Sequence, residues 1–599
     1  MRRYLQFSAL LLAAPALGSA STIVPAEDVE NTAELTPAQF AALDPTRAGR
    51  AACRGLDQTD AVLGARLTMA QSLASGEGLG IAPIGLFSGI ATSDLPLDEM
   101  SPQARTFFDQ GVALTYGFNH AAAIRSFRRA SEIDPECAMC WWGVALANGP
   151  NINAGMSDAQ NREAVTALEV AVRLSADSSP VVRKLIAAQA ARYSQDGESD
   201  RATLDLAYAK AMLALARAHP GSDDLAALAA ESAMNTTPWN YWDEAGEPRP
   251  LIGDAVSLLE GVMARNPAHP QAAHLYIHLL ELPDPGRAEQ AADLLRAHGP
   301  KGLAHLVHMP AHIYYRLGRY ADSMDANIEA VAAEEEYLRE VGDDGLVRYG
   351  YYPHNVHFLL TSAQMMGDLH TIVTQSAKLE RILDVETGRD LYWVQAIYAA
   401  PYFAYAEYGS PDAILARTAS EHPLEYVEAM RHYARAVAFA QTRDGEAFNA
   451  EIAAMEALIK TPVIAKMDAN FFPASSILGV AVAVAKGREA MADARSEEAI
   501  AHFTRATELQ QVIPYSEPPF WYYPVEQSLG AAYFQAGRYE DARQAFRAAL
   551  LAAPNGALAL YGLEQTERKL GHRLEAQAAK MAFDKVWRGE DAWLSMERL

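Results

Sequence analysis

One short pattern occurs near both ends of the chain, and it constrains the fold more than any other feature. Gly111, Ala123, Phe127, Ala130 and Pro135 stand at the same mutual offsets as Gly530, Ala542, Phe546, Ala549 and Pro554. Ala, Phe and Ala at i, i+4 and i+7 mark one face of a helix, and the Pro a few residues later ends it. The glycine twelve residues before the first Ala lies a helix and a turn upstream, so the unit is helix, turn, helix. A unit this short cannot bury its own apolar stripe and must stack on copies of itself.

The spacing A-x3-F-x2-A with a terminal Pro, and Tyr533, Gly537 and Tyr539 at further matching positions, resembles the 34-residue tetratricopeptide repeat. Degenerate copies follow the same rule. Ala138 opens a second repeat with Trp141 at its fourth position; Ala255, Leu259, Val262 and Pro267 give a second helix and its end. Gly318, Gly367, Gly409 and Gly571 mark further turns, and Pro283, Pro285 and Pro300 break helices around the middle of the chain. Ala-rich runs at 226–230 and 481–485 favour helix over strand. The expected fold is therefore all-α: a tetratricopeptide-repeat α-solenoid with a concave, His-rich pocket. A chain of 599 residues is long for one core. The expected division is a secretory signal at 1–20, an extension at 21–100 and two repeat arrays at 101–365 and 366–599.

Residues 1–20 carry Arg2 and Arg3, an apolar run from Ala9 to Leu17 and small residues at Gly18, Ser19 and Ala20. This predicts a cleavable signal, because the run is too short to span a bilayer. The protein is expected to be secreted or periplasmic, with no stable membrane anchor after cleavage. Its formal charge is −25, and no run of Lys or Arg offsets it, so nucleic acid is excluded as a partner. In an oxidising compartment Cys137 and Cys140 read as a local disulfide, with a redox or metal role as the alternative; Cys53 stands alone.

Chemistry concentrates in the middle of the chain. Eight of the sixteen histidines lie between 274 and 357, where even spreading would place about two. In tetratricopeptide arrays the first helix of each repeat lines a concave surface, with ligand contacts at positions 2, 5, 9, 12 and 13. With Gly318 at position 15, His305, His308 and His312 take positions 2, 5 and 9, within an arc of roughly 60°. Counting from Pro267 places His274, His278 and Glu281 at 5, 9 and 12, and Gly367 places His354 and His357 at 2 and 5. Glu231 and Asn235 fall on the groove side of the preceding helix, and His432 on that of a later one. Tyr315 and Tyr352 stand among five tyrosines near the cluster that offer hydrogen bonds or packing.

Imidazoles with one or two carboxylates form the ligand set of copper, zinc, iron or manganese. The expected cofactor is a transition metal ion held by His274, His278, Glu281, His305, His308, His312, His354 and His357, in a metal-binding protein and possible metalloenzyme. Two other readings stay open: packed or solvated histidines in a scaffold groove that takes a peptide, protein or small molecule, and an organic or phosphate ligand held by imidazoles. No His-Glu-x-x-His, G-x-S-x-G, P-loop or Gly-rich dinucleotide loop occurs. Three aromatic stretches, at 140–153, 237–242 and 518–524, read as caps and inter-repeat packing or as the mouth of a pocket.

The signal together with C-x-x-C-x-W-G, G-P-N-x-N, H-M-P-x-H-I and Y-Y-P-H-N-x-H is similar to a family of exported bacterial tetratricopeptide proteins. That resemblance covers nearly all of the mature chain. It implies a shared pocket and supplies no reaction.

Overall fold

A computed structural model describes residues 84–90, 92–194, 200–243, 245–342 and 345–599. The signal, most of the expected extension and Cys53 lie outside the described residues. Within them the chain is helical from Pro102–Tyr116 to Arg573–Val586, and two isolated bridges are the extent of β pairing. Most helices pack on the next or the next but one, as the solenoid reading requires.

The helices start and stop where side chains satisfy their free backbone groups. Ser101, Asn119, Ser222, Asp284, Asp368 and Asp444 each accept a hydrogen bond from a first-turn N–H, and Ser157 with Gln160 forms a capping box. Pro270 and Pro285 open helices at the position where a missing N–H costs nothing. The turn glycines Gly318 and Gly367 take φ of 71° and 72°, the left-handed conformation that ends a helix with little strain.

The recurring Phe is a wedge between stacked repeats. A Cβ on Gly111 would lie 2.6 Å from the Phe127 ring, and one on Gly143, in the next repeat, 2.3 Å away. Phe546 sits in the same way between Gly530 and Gly562. The small residues of the pattern thus make room for a fully buried ring, which contributes about 1.5–3 kcal/mol per site. Cys137 and Cys140 are bonded to each other, with Cα atoms 5.4 Å apart, across the first turn of the Ala138–Asn148 helix. Among the described residues no single helix is long and apolar enough to cross a membrane.

Both ends of the array fold onto its middle. From the N-terminal side, Asp94 accepts from the backbone N–H groups of Asp223 and Asp224, and the backbone at Ser88 and Gly89 lies close against Gly302. From the C-terminal side, Asn555 Nδ2 donates to Gly318 O at 3.2 Å, and Arg588 N donates to Met366 O at 2.9 Å. The helices that carry the histidines are therefore enclosed rather than left along an open groove.

Candidate metal centre

Four helices supply the central histidines. His274 and His278 stand one turn apart on Pro270–Leu280, and Glu281 caps its end. His305 and His308 lie on Ala304–His308; the backbone stays helical through Met309, so His312 on Pro310–Arg316 continues the same face. His354 lies in the first turn of Tyr352–Met366. Apart from His354, which is half-buried, all of these side chains are buried.

They gather into two triads and one acidic group. The ligand atoms of His308, His312 and His354 lie within 4.8 Å of one another, as do those of His274, His278 and His305, and those of Glu281, His312 and Glu517. In the first triad His308 Nε2 is 2.8 Å from His312 Nε2 and 3.1 Å from His354 Nε2. In the second, His274 Nε2 is 3.2 Å from His305 Nε2.

The surrounding residues fix which nitrogens point inward as lone pairs. Asn327 Nδ2 donates to Ser323 O at 2.8 Å, so its Oδ1 faces His308 Nδ1 at 2.7 Å. His308 therefore carries its proton on Nδ1 and turns a bare Nε2 toward its partners. His274 is set in the same way: Gln271 Nε2 donates to Glu231, so Gln271 Oε1 accepts from His274 Nδ1 at 2.9 Å. His312 Nδ1 donates to Glu517 at 2.8 Å and lies 2.9 Å from Glu281 Oε2 as an ion pair. Arg316 lies 3.7 Å from Glu517 and donates to Glu281 O, and Tyr515 OH donates to Glu517, so the carboxylate is itself held.

Burial, then the charge of neighbouring imidazoles, pushes His274, His305 and His308 well below the usual histidine range. They are neutral at pH 7 and able to act as ligands. For His312 burial also lowers the pKa, but the charge of Glu281 beside it and the hydrogen bond it donates to Glu517 outweigh it and lift it to about 9. Burial pushes the Glu281 carboxyl up, yet the His312 charge beside it, with His278 further off, prevails and holds it low. Glu517 is raised, first by burial and then by Glu281.

Aromatic rings close the site. Phe118 packs 4.7 Å from His274 and 5.2 Å from His305, Trp239 5.0 Å from His278, and Tyr351 4.8 Å from His305. Phe118 and Trp239 both hold left-handed backbone conformations, with φ of 55° and 63°, which side-chain-bearing residues rarely adopt. Trp239 Nε1 donates to Ile152 O at 2.8 Å, which ties the second aromatic stretch to the first. Glu517, just ahead of the third, reaches His312, and Tyr522 within it meets His357.

The remaining expected residues stand further out. His357 accepts from or donates to Tyr522 OH at 2.8 Å rather than joining a triad. Glu231 and Asn235 line a small polar cavity with His120, Arg192 and Tyr208. Tyr315 lies one layer behind, packed on Tyr320 and Phe358, and Tyr352 OH donates to Glu335. His432 pairs with Glu428 and Glu451 in the C-terminal half. Sequence reasoning missed Glu517, Asn327, Gln271 and Phe118. The one available signal was the position of Glu517 beside the aromatic stretch that begins at Pro518.

A family model of the tetratricopeptide repeat matches residues 527–555. No curated protein sequence matches the chain. Among solved structures, it is similar to a human IFIT1 dimer with m7Gppp-AAAA at 11% identity and a TM-score of 0.27, covering 82% of this chain and 90% of that one. It is also similar to the Cut9–Hcn1 hetero-tetramer of the APC/C at 13% identity and a TM-score of 0.26, covering 81% and 90%. For yeast Tom70 the values are 13% and 0.23, covering 83% and 93%.

Proposed function

We propose that this is an exported repeat protein that binds a transition metal ion at His308, His312 and His354. The observation that carries the reading is the convergence of three Nε2 atoms, one of them held as a lone pair by Asn327. Three nitrogens about 2.0–2.1 Å from one tetrahedral ion stand about 3.3–3.4 Å apart. The separations of 2.8 and 3.1 Å are shorter than that by about half an ångström and about a quarter, so the rings would part slightly to admit the ion. Lone pairs crowded together in a buried site repel unless a proton or a cation lies between them. The bound ion would replace the proton that His312 otherwise carries, and the carboxylates of Glu281 and Glu517 would balance its charge.

The donor set is nitrogen and carboxylate oxygen without thiolate, which suits zinc, copper or iron. The residues themselves do three things: they present lone pairs, hold the ring orientations through Asn327, Glu281 and Glu517, and exclude water through the aromatic walls.

A His308→Ala/His312→Ala double variant tests this. Tag-free variant protein is expected to lose the ion while its helical circular dichroism stays unchanged. Metal retained in full by the variant would refute the site. Protein that never takes up metal would leave the reading of a scaffold holding a peptide or protein partner without catalysis.

A further inference from the structure

We propose that the triad of His274, His278 and His305 holds a second ion, so that the centre is dinuclear. This rests on the reading of the first site, and four features of the second triad carry it.

Its ligand atoms meet the same 4.8 Å closeness as the first. Its key lone pair is also held from behind. Glu231 orients the Gln271 amide, Gln271 Oε1 accepts a hydrogen bond from His274 Nδ1–H, and Nε2 of His274 faces His305 at 3.2 Å. A three-residue chain that leaves a buried imidazole nitrogen bare is the arrangement that orients metal-bound histidines.

The triads are neighbours. His278 and His312 have ring centroids 6.2 Å apart, and His305 and His308 6.3 Å apart. Glu281 stands between them, with Oε2 2.9 Å from His312 Nδ1 and Oε1 4.0 Å from His278 Nδ1. One carboxylate thus serves both triads.

The enclosure differs between the two. The second triad is walled by Phe118, Trp239 and Tyr351, and the strained backbone at Phe118 and Trp239 aims those rings at it. The first is bordered by Phe358, 5.0 Å from His308, and by the half-buried His354 beside Trp393. His354 is the one ligand of the six that is half-buried rather than buried, so the first triad lies nearer solvent and the second ion is the deeper of the two. Its ligand class is an imidazole-preferring transition metal, with no thiolate or thioether among the donors.

The test uses tag-free, metal-stripped, full-length protein titrated with Zn²⁺ by calorimetry and, separately, with Cu²⁺ by electron paramagnetic resonance. Two equivalents of Zn²⁺ are expected. Two neighbouring Cu²⁺ ions are expected to give a broadened or diminished signal through their mutual coupling. His274→Gln/His305→Gln is expected to bind one equivalent and to restore the sharp signal of an isolated Cu²⁺. One equivalent in the wild type, abolished by the His308/His312 variant and untouched by His274/His305, overturns the second ion and leaves the first. One equivalent abolished by either pair also overturns it, because a single ion then spans both triads. No uptake at all overturns the metal reading itself. The wild-type stoichiometry and coupling decide the matter even if a variant fails to fold.

Discussion

Replacing Asn327 with leucine isolates the orientation of one ligand from its presence. Asn327 and His308 are both fully buried, and the bond between them is 2.7 Å long. Leucine has a similar volume and suits the Tyr320–Val341 helix, so packing changes little. What disappears is the acceptor for His308 Nδ1. A buried N–H left without an acceptor costs about 1–3 kcal/mol. The ring can relieve this by moving its proton to Nε2, but it then loses the lone pair that faces His312 and His354. Either way the ion is held less tightly, by about 10–100-fold in Kd, the usual scale for removing a partner behind a metal ligand. That corresponds to about 1.4–2.7 kcal/mol. Competition with a chromophoric zinc chelator measures it. Asn327→Asp restores an acceptor and is expected to recover affinity to within about threefold of the wild type. Leucine and wild-type proteins that bind alike would refute the lone-pair argument, as would an aspartate variant as impaired as the leucine one.

Other expectations concern the scaffold around the centre. Gly143→Ala places a Cβ 2.3 Å from the Phe127 ring and is expected to cost about 1–3 kcal/mol in urea unfolding; no loss would mean that the wedge between repeats is loose. Glu517→Ala removes the partner of His312, Arg316 and Tyr515, and is expected to open the segment at 512–525 to limited proteolysis; unchanged cleavage would show that the loop docks without it. Burial holds His357 at about 3 against an ordinary 6.5, so the folded state favours its neutral form. Its contribution is complete above pH 6.5 and falls as pH drops toward 3, by about 1.4 kcal/mol per pH unit. His357→Gln should flatten stability against pH by one proton over that window, and an unaltered slope would place the titration elsewhere.

The repeat fold was legible because its signal is local. Gly111 and Phe127 meet within one helix–turn–helix, and the turn glycines Gly318 and Gly367 adopt the left-handed conformation that their place in the pattern demands. The same register put His305, His308 and His312 on one face, where the structure has them. It did not separate His354, which joins a triad, from His357, three residues on, which turns to Tyr522. Nor did it foresee enclosure. Glu517 reaches His312 across 205 residues of sequence, through a return of the C-terminal repeats that no local pattern encodes. Asn327 sits on the second helix of its repeat, the one that a solenoid register assigns to the outside. Gln271 and Phe118 escaped for a different reason: amides and phenyl rings are not residue types that flag a metal centre, although here they hold and wall the histidines of the candidate site.

Elemental analysis of tag-free wild-type protein purified without added metal bears most directly on the central claim. The account predicts at least one equivalent of zinc, copper or iron per chain, with the His308→Ala/His312→Ala variant depleted by one equivalent. Less than about a tenth of an equivalent of any transition metal, unchanged after incubation with zinc or copper and desalting, would contradict it, since a preformed site of this kind binds far more tightly than that outcome allows.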